Sequence, residues 1–196
     1  MKLVALEEVA SVQLGKMLSP ASKTGRQPFP YLRNQNVQWN RLDLRSIATM
    51  DFTPAERTKF ALQPGDLLVC EGGEPGRCAV WHGEIQDCYY QKALHRVRAK
   101  PDRLDIDFLR LWLWYQCQFG DLSRENSRTT IAHLPLNKLK SLLIPDIPVF
   151  EQRRICQRLW PRLEAIETAR EALRVQINEL GLMPGKLLAQ VFTADR

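Results

Sequence analysis

The chain has 196 residues, enough for one domain or one domain with an appendage, and enough to bury a core without metal or disulfide staples. Apolar residues make up 44% and charged residues 26%, which excludes collagen-like, low-complexity and disordered classes. Lys and Arg number 28 against 22 Asp and Glu, a net charge of +6 and a pI near 9.2, which permits a polyanionic partner without requiring one.

The N-terminal segment has no apolar run of signal-peptide length, because Glu7 and Glu8 interrupt it. The most apolar stretch, residues 106–117, is far shorter than the ~20 residues of a membrane span and contains Arg110. A cytoplasmic protein is expected. Cysteines 70, 78, 88, 117 and 156 are odd in number and lack C-x-x-C spacing, so they read as free thiols in a reducing compartment. No metal and no cofactor are expected.

Two compositional parts follow one another. Residues 1–149 hold ten of the twelve prolines and eight of the ten glycines, with short apolar runs between turns. Basic residues cluster first between Lys16 and Arg45: Lys16, Lys23, Arg26, Arg33, Arg41 and Arg45, against the single acid Asp43. Inside this cluster lies Arg33-Asn34-Gln35-Asn36. Arg, Asn and Gln are the side chains that pair bidentately with guanine and adenine edges, so the segment suits a base-reading loop; it equally suits a polar turn.

Residues 66–70 and 78–81 read as buried strands around the turn-rich Glu71-Gly72-Gly73-Glu74-Pro75-Gly76. The glycine spacing superficially resembles a phosphate loop. Pro75 and the strand-like residues beyond it favour a tight turn instead. Residues 92–98 alternate. Ala93, His95 and Val97 fall on one face, with Lys92, Leu94, Arg96 and Arg98 on the other, as in a strand with one basic face. Gln91, Lys92, Arg96, Arg98, Lys100 and Arg103 form a second basic cluster. Residues 106–119 are apolar on nearly all sides and read as a buried helix. Arg124, Arg128 and Thr129 lie in a third cluster, residues 123–130, rich in hydroxyl and amide donors suited to phosphate. Residues 142–144 read as a short strand stopped by Pro145 and Pro148.

Beyond Pro148 the texture changes. Residues 150–180 contain no glycine, and Leu159, Leu163, Ile166, Leu173, Ile177 and Leu180 recur at heptad spacing, with Arg170 as the polar occupant of the seam. A helix of some thirty residues, ~45 Å long at 1.5 Å per residue, is expected to project and to pair with another helix. Pro161 should kink or restart it, and Gly181 and Pro184 should stop it before a short amphipathic tail, residues 186–192.

Catalytic patterns are absent. There is no Pro-Pro dipeptide for an amine-holding loop, no Walker lysine, no convincing acidic-x-Lys nuclease pair, and His82, His95 and His133 are isolated. A stand-alone DNA-modifying enzyme and a coiled-coil adaptor that ignores DNA are the competing readings. Cofactor binding would mark the first, and absence of salt-sensitive DNA binding the second.

The landmarks, taken in order, resemble one half of the specificity subunit of type I restriction–modification systems. They are Gly15-Lys16 through Pro20, Tyr31-Leu32-Arg33 with Asn36, Leu62-x-Pro64-Gly65-Asp66-Leu67-Leu68, Glu71-Gly72, Gly76-Arg77, Gln91-Lys92 and His133-Leu134. The most specific is Ile144-Pro145-x-x-Pro148-x-x-Glu151-Gln152-x-x-Ile155, leading into a long helix that closes with Leu187-Leu188 and Phe192. The resemblance implies a mixed α/β target recognition domain over residues 1–149 and a spacer and dimerisation helix over 150–196 that pairs as a coiled coil. Members normally carry two of each in tandem. One of each implies a half subunit that homodimerises, without catalytic activity of its own, and docks methyltransferase subunits and in some systems a restriction subunit. The expected DNA-facing residues are Arg26, Arg33, Asn34, Gln35, Asn36, Arg77, Gln91, Lys92, Arg124, Arg128 and Thr129; the expected dimer seam is the six apolar residues from Leu159 to Leu180.

Overall fold

A computed structural model describes residues 2–120, 122 and 133–193. The chain divides into two compact units, Met1–Arg153 and Arg154–Arg196.

The first unit is mixed α and β. Its largest sheet has four antiparallel strands in the order β2 (Ala10–Leu14), β10 (Leu94–Ala99), β7 (Leu67–Cys70) and β8 (Cys78–Val80). A second sheet joins β6 (Ala48–Asp51), β3 (Pro28–Leu32) and β9 (Tyr89–Tyr90), with β3 and β9 parallel. Two two-stranded ribbons complete it: β1 (Leu3–Ala5) with β11 (Leu143–Pro145), and β4 (Val37–Gln38) with β5 (Arg41–Leu42). Short helices α1 (Leu6–Val9), α2 (Pro54–Phe60) and α4 (Leu136–Lys140) connect the strands, and α3 (Ile106–Gln118) is the longest helix of this unit. Apolar and aromatic side chains of both larger sheets form the core, including Tyr31, Leu32, Phe52, Leu68, Trp81, Tyr90 and Leu94. Phe52 stacks on Tyr89 with ring centroids 4.3 Å apart.

The Gly65-Asp66-Leu67 turn shows why a buried acid enters a strand. Gly65 takes φ +90°, a conformation open to glycine, and delivers Asp66 into the sheet. The Asp66 carboxylate is buried and accepts the Gln63 N–H at 2.7 Å and both Nε and Nη2 of Arg98 at 2.7 and 2.8 Å. A fork-to-fork pair of this kind satisfies the buried charge. The Pro148-x-x-Glu151-Gln152 junction is equally explicit. Gln152 is buried, accepts the Asp105 N–H at 2.8 Å, and donates to the carbonyls of Arg103 (3.1 Å) and Ile147 (2.8 Å).

Several expectations are corrected. β10 begins at Leu94 rather than residue 92, because Gln91 turns the chain and accepts the Leu94 N–H at 2.9 Å. Its supposed basic face points inward. Arg96 is buried, donates to the Ala61 carbonyl (3.0 Å) and Gln13 Oε1 (2.7 Å), and lies over the Tyr90 ring. Arg98 is spent on Asp66. α3 buries only one side, Phe108, Leu109 and Leu113, while Phe119 is 75% exposed. Pro145 belongs to β11, paired with Leu3, where the terminal position of a short ribbon tolerates a residue without N–H.

The second unit is helical. The helix α5 runs from Val149 to Thr193, crossing the boundary at Arg153, and is 45 residues long with Pro161 and Pro184 inside it. Gly181 and Pro184 therefore do not stop it, and residues 186–192 continue the same helix instead of forming a separate tail. Gly181 and Gly185 cost ~1 kcal/mol each and Pro184 ~3 kcal/mol of helix propensity, and the Leu-, Glu-, Arg- and Ala-rich flanks carry the helix across all three. Among the described residues no helix is long and apolar enough to cross a membrane.

Candidate nucleic-acid interface

Four separate stretches converge on one rim of the first unit. The Arg33-to-Asn36 stretch forms a tight 3₁₀ turn at residues 34–36. Asn34 Nδ2 donates to the Gly72 carbonyl at 2.9 Å, tying this turn to the loop between β7 and β8. Arg77 Nη2 donates to the Asn34 carbonyl at 3.1 Å, while its Nη1 meets Glu74 at 3.0 Å. Trp39 Nε1 also donates to the Glu74 carboxylate. On the other side of the loop, Gly72 bridges His133, the Glu71 N–H donates to the Ala93 carbonyl (3.0 Å), and His133 Nδ1 lies 3.0 Å from the Glu71 carbonyl. Gly73, at φ +76°, sits so close to Asn34 that a Cβ would lie 2.9 Å from Nδ2. The glycine-rich segment is thus a tight turn clamped between neighbours.

A second close approach fixes the Gln91-Lys92 segment. Lys16 and Gln91 form a parallel bridge, and the Lys92 N–H donates to the Lys16 carbonyl at 2.8 Å. A Cβ at position 15 would collide with the Gln91 carbonyl, so Gly15 is required. Lys92 itself is exposed.

The expected DNA-facing residues separate by environment. Arg26, Gln35 and Lys92 are exposed. Arg33 is half-buried, with Nη2 donating to Ser46 at 3.2 Å. Asn34 and Arg77 are half-buried and committed to the clamp. Gln91 is half-buried at the Lys16 bridge. Asn36 is a correction: it is buried, its Oδ1 accepts the Arg33 N–H (2.9 Å), and its Nδ2 donates to the carbonyls of Asp43 (2.8 Å) and Ser46 (2.9 Å). Buried, and with both Nδ2 hydrogens donated to the backbone, this amide is not presented to a base. Arg124, Arg128 and Thr129 lie outside the described residues.

The first basic cluster is less basic in space than in sequence. Lys16 is buried against Glu56 at 2.6 Å, and Arg45 pairs with Asp43 at 2.5 Å. Lys23, Arg26 and Arg41 remain exposed. The Arg26 turn has an anchor that sequence reasoning missed. Asp51 accepts the Thr24 hydroxyl (2.6 Å) and the N–H groups of Gln27 (2.7 Å) and Gly25 (2.9 Å), and these bonds hold its carboxyl below the usual range. Only tertiary structure reveals this, since Asp51 lies 24 or more residues from its partners. Arg26 lines a cleft of about 510 Å³ together with Lys16, Asp51 and Glu56.

Four of the thiols are held protonated by their surroundings. Burial pushes Cys70 up to about 11, Cys88 and Cys117 up to about 12, and Cys78 well upward.

A family model described as "Type I restriction modification DNA specificity domain" matches residues 1–179. No curated protein matches the chain. Among solved structures, the chain is similar to one reported under "Structural basis underlying complex assembly and conformational transition of the type I R-M system", at 21% identity and TM-score 0.74, over 97% of this chain and 45% of the other. It is similar to the HsdS subunit of Thermoanaerobacter tengcongensis at 21% identity and TM-score 0.67, over 100% and 45%. The type I restriction–modification S subunit of M. genitalium follows at 18% and 0.51, over 100% and 46%. The chain thus spans less than half the length of each of these structures and shares their fold. With the family model covering nearly its whole length, the chain belongs to the type I restriction–modification DNA specificity family.

Proposed function

We propose that the chain is the DNA-reading component of a type I restriction–modification methyltransferase. The observation that carries this is the specificity-domain match over residues 1–179, spanning both the mixed α/β unit and most of the long helix. In this reading residues 1–149 recognise one half of a bipartite site, and 150–196 act as spacer. The chain works in the cytoplasm, holds no catalytic group and leaves methyl transfer to the methyltransferase subunits it docks, with a restriction subunit joining in some systems.

The rim, the cleft that Arg26 lines and residues 124–129 together supply the DNA-facing surface. Arg26, Arg33, Gln35 and Lys92, with Arg124, Arg128 and Thr129, contact phosphates and base edges. Asn34, Arg77 and Gln91 hold the rim in shape. A salt titration of the full chain on a random-sequence duplex tests this. Affinity should fall linearly in log–log form with salt, the slope reporting the number of phosphates neutralised. Binding indifferent to salt would favour an adaptor that ignores DNA.

Two copies pair through α5. Ile166, Leu173, Ile177 and Leu180 are 54–66% exposed, an apolar seam that a lone helix leaves in water. Two identical recognition units related by a two-fold axis read identical half-sites on opposite strands, so the site is an interrupted palindrome. Replacing Ile166 and Ile177 by Asp should abolish pairing, since charges at these two seam positions meet no opposite charge. A light-scattering mass that stays dimeric in that variant would contradict the pairing.

A further inference from the structure

The charges along α5 define how two copies would meet, and the argument rests on the self-pairing proposed above. Numbered as heptads, Leu163, Arg170 and Ile177 occupy one core position, and Leu159, Ile166, Leu173 and Leu180 the other. Glu167 and Arg174 stand one residue after Ile166 and Leu173, so both flank the seam on the same side. Arg170, Glu167 and Arg174 are all exposed. Arg170 keeps its guanidinium 2.7 Å from Glu167 of its own chain.

We infer that the seam takes a second copy of this chain in one antiparallel register. Leu163 layers against Leu180 of the second copy, Ile166 against Ile177, and Arg170 against Leu173. Glu167 of each chain faces Arg174 of the other, giving two reciprocal ion pairs.

Arg170 sets the orientation. In a parallel pair each core position meets itself, so two Arg170 guanidinium groups would share one apolar layer. In an antiparallel pair the two core positions alternate, and Arg170 always meets an apolar residue. Its charge then stays at the seam edge beside its own Glu167, with its methylenes covering the core. A single polar core residue is a known means of fixing coiled-coil orientation.

The flanking charges set the register. Three antiparallel registers, one heptad apart, bury most of the seam. A slip one way brings Glu167 against Glu167 of the second copy. A slip the other way brings Arg174 against Arg174. Only the middle register pairs opposite charges, and it does so twice. A one-heptad slip would also move the two helix origins ~10 Å relative to each other, at 1.5 Å per residue. At ~3.4 Å per base pair that alters the unread gap by about three base pairs, so these two side chains help to specify the DNA site.

The test is the dimer dissociation constant of the full-length chain by sedimentation equilibrium. Glu167→Arg and Arg174→Glu should each weaken the dimer about tenfold, since each turns two attractive contacts into two repulsive ones. The double variant Glu167→Arg/Arg174→Glu should return to within about threefold of the parent. Each single change also places a like charge three residues from Arg170 or Glu171 within the helix. The double variant keeps both defects, so its recovery cannot come from helix propensity. A dimer in which the double variant is as weak as the two singles combined would overturn the register while leaving the pairing intact. A parent chain that stays monomeric at ~100 µM would overturn pairing and register together.

Discussion

Gln152 holds Asp105 by its backbone: the Gln152 amide oxygen accepts the Asp105 N–H at 2.8 Å, 47 residues away in sequence. Asp105 in turn caps α3, its Oδ1 accepting the N–H groups of Asp107 (3.1 Å) and Phe108 (3.3 Å). The start of α5 is thereby fastened to the start of α3, and the flanking carbonyls of Arg103 and Ile147 are closed by the same amide. This is a physical reason for glutamine in the Pro-x-x-Glu-Gln junction, since it needs one acceptor and two donors in one planar group.

Gln152→Ala should cost about 2–3 kcal/mol, because it strands one buried donor and two acceptors at once. Gln152→Glu should cost more. It keeps an acceptor for Asp105 but sets a carboxylate against two carbonyl oxygens. Chemical denaturation of the two variants checks the order, and a Glu variant as stable as the parent contradicts it.

Asp66→Ala should destabilise by about 2 kcal/mol. It removes both bonds to Arg98 and the one to Gln63, while Arg98, one third exposed, recovers part of its hydration. Urea unfolding should show a lower midpoint with an unchanged slope, meaning lost stability without a change in the denatured state. A midpoint within experimental error of the parent would remove Asp66 from the account.

His95 makes stability depend on pH. It is fully buried, with Nε2 at 2.8 Å from the Leu134 carbonyl, and burial holds its pKa below the ordinary 6.5. The folded state therefore binds its proton less readily than the unfolded chain. This contribution is fully present above pH 6.5 and declines as pH falls below it. Melting temperatures at pH 7.5 and 5.5 should differ more in the parent than in His95→Gln. Equal differences would assign the acid sensitivity elsewhere.

The rim should respond at two levels. Asn34→Ala cuts the link to Gly72, and Gly73→Ala forces a Cβ against Asn34 in a left-handed conformation. Both should blur the sequence preference recovered from a randomised duplex pool. Lys92→Ala should weaken binding to all sequences alike, about tenfold at low salt, and reduce the salt slope by about one. If Asn34→Ala left the selected sequences unchanged, the clamp would have no part in reading them.

What the sequence reveals depends on how local the cause is. Buried runs such as residues 67–70 and 78–80, and the capped helix at 106–118, are encoded by neighbours and are readable. The long helix beyond Pro148 is readable for the same reason. Arg96 and Arg98 are not, because a basic side chain in a strand looks identical whether it faces water or a buried acid 32 residues away. Asn36 misleads similarly, since its partners only appear once the chain turns back at Asp43. The continuation of α5 past Pro184 is set by its flanks, which a search for stop signals weighs too lightly. The short strands 3–5, 10–14, 28–32 and 48–51 escape notice because their pairing partners are distant in sequence.

The central claim is that this chain pairs with itself to direct a methyltransferase to a divided site. Its most direct test is the genome-wide methylation pattern of a host expressing the full chain with a type I methyltransferase subunit it docks. The account predicts one modified motif, in two halves that are reverse complements, separated by a fixed unread gap. A motif without a gap, or one whose halves are unrelated in sequence, would contradict it.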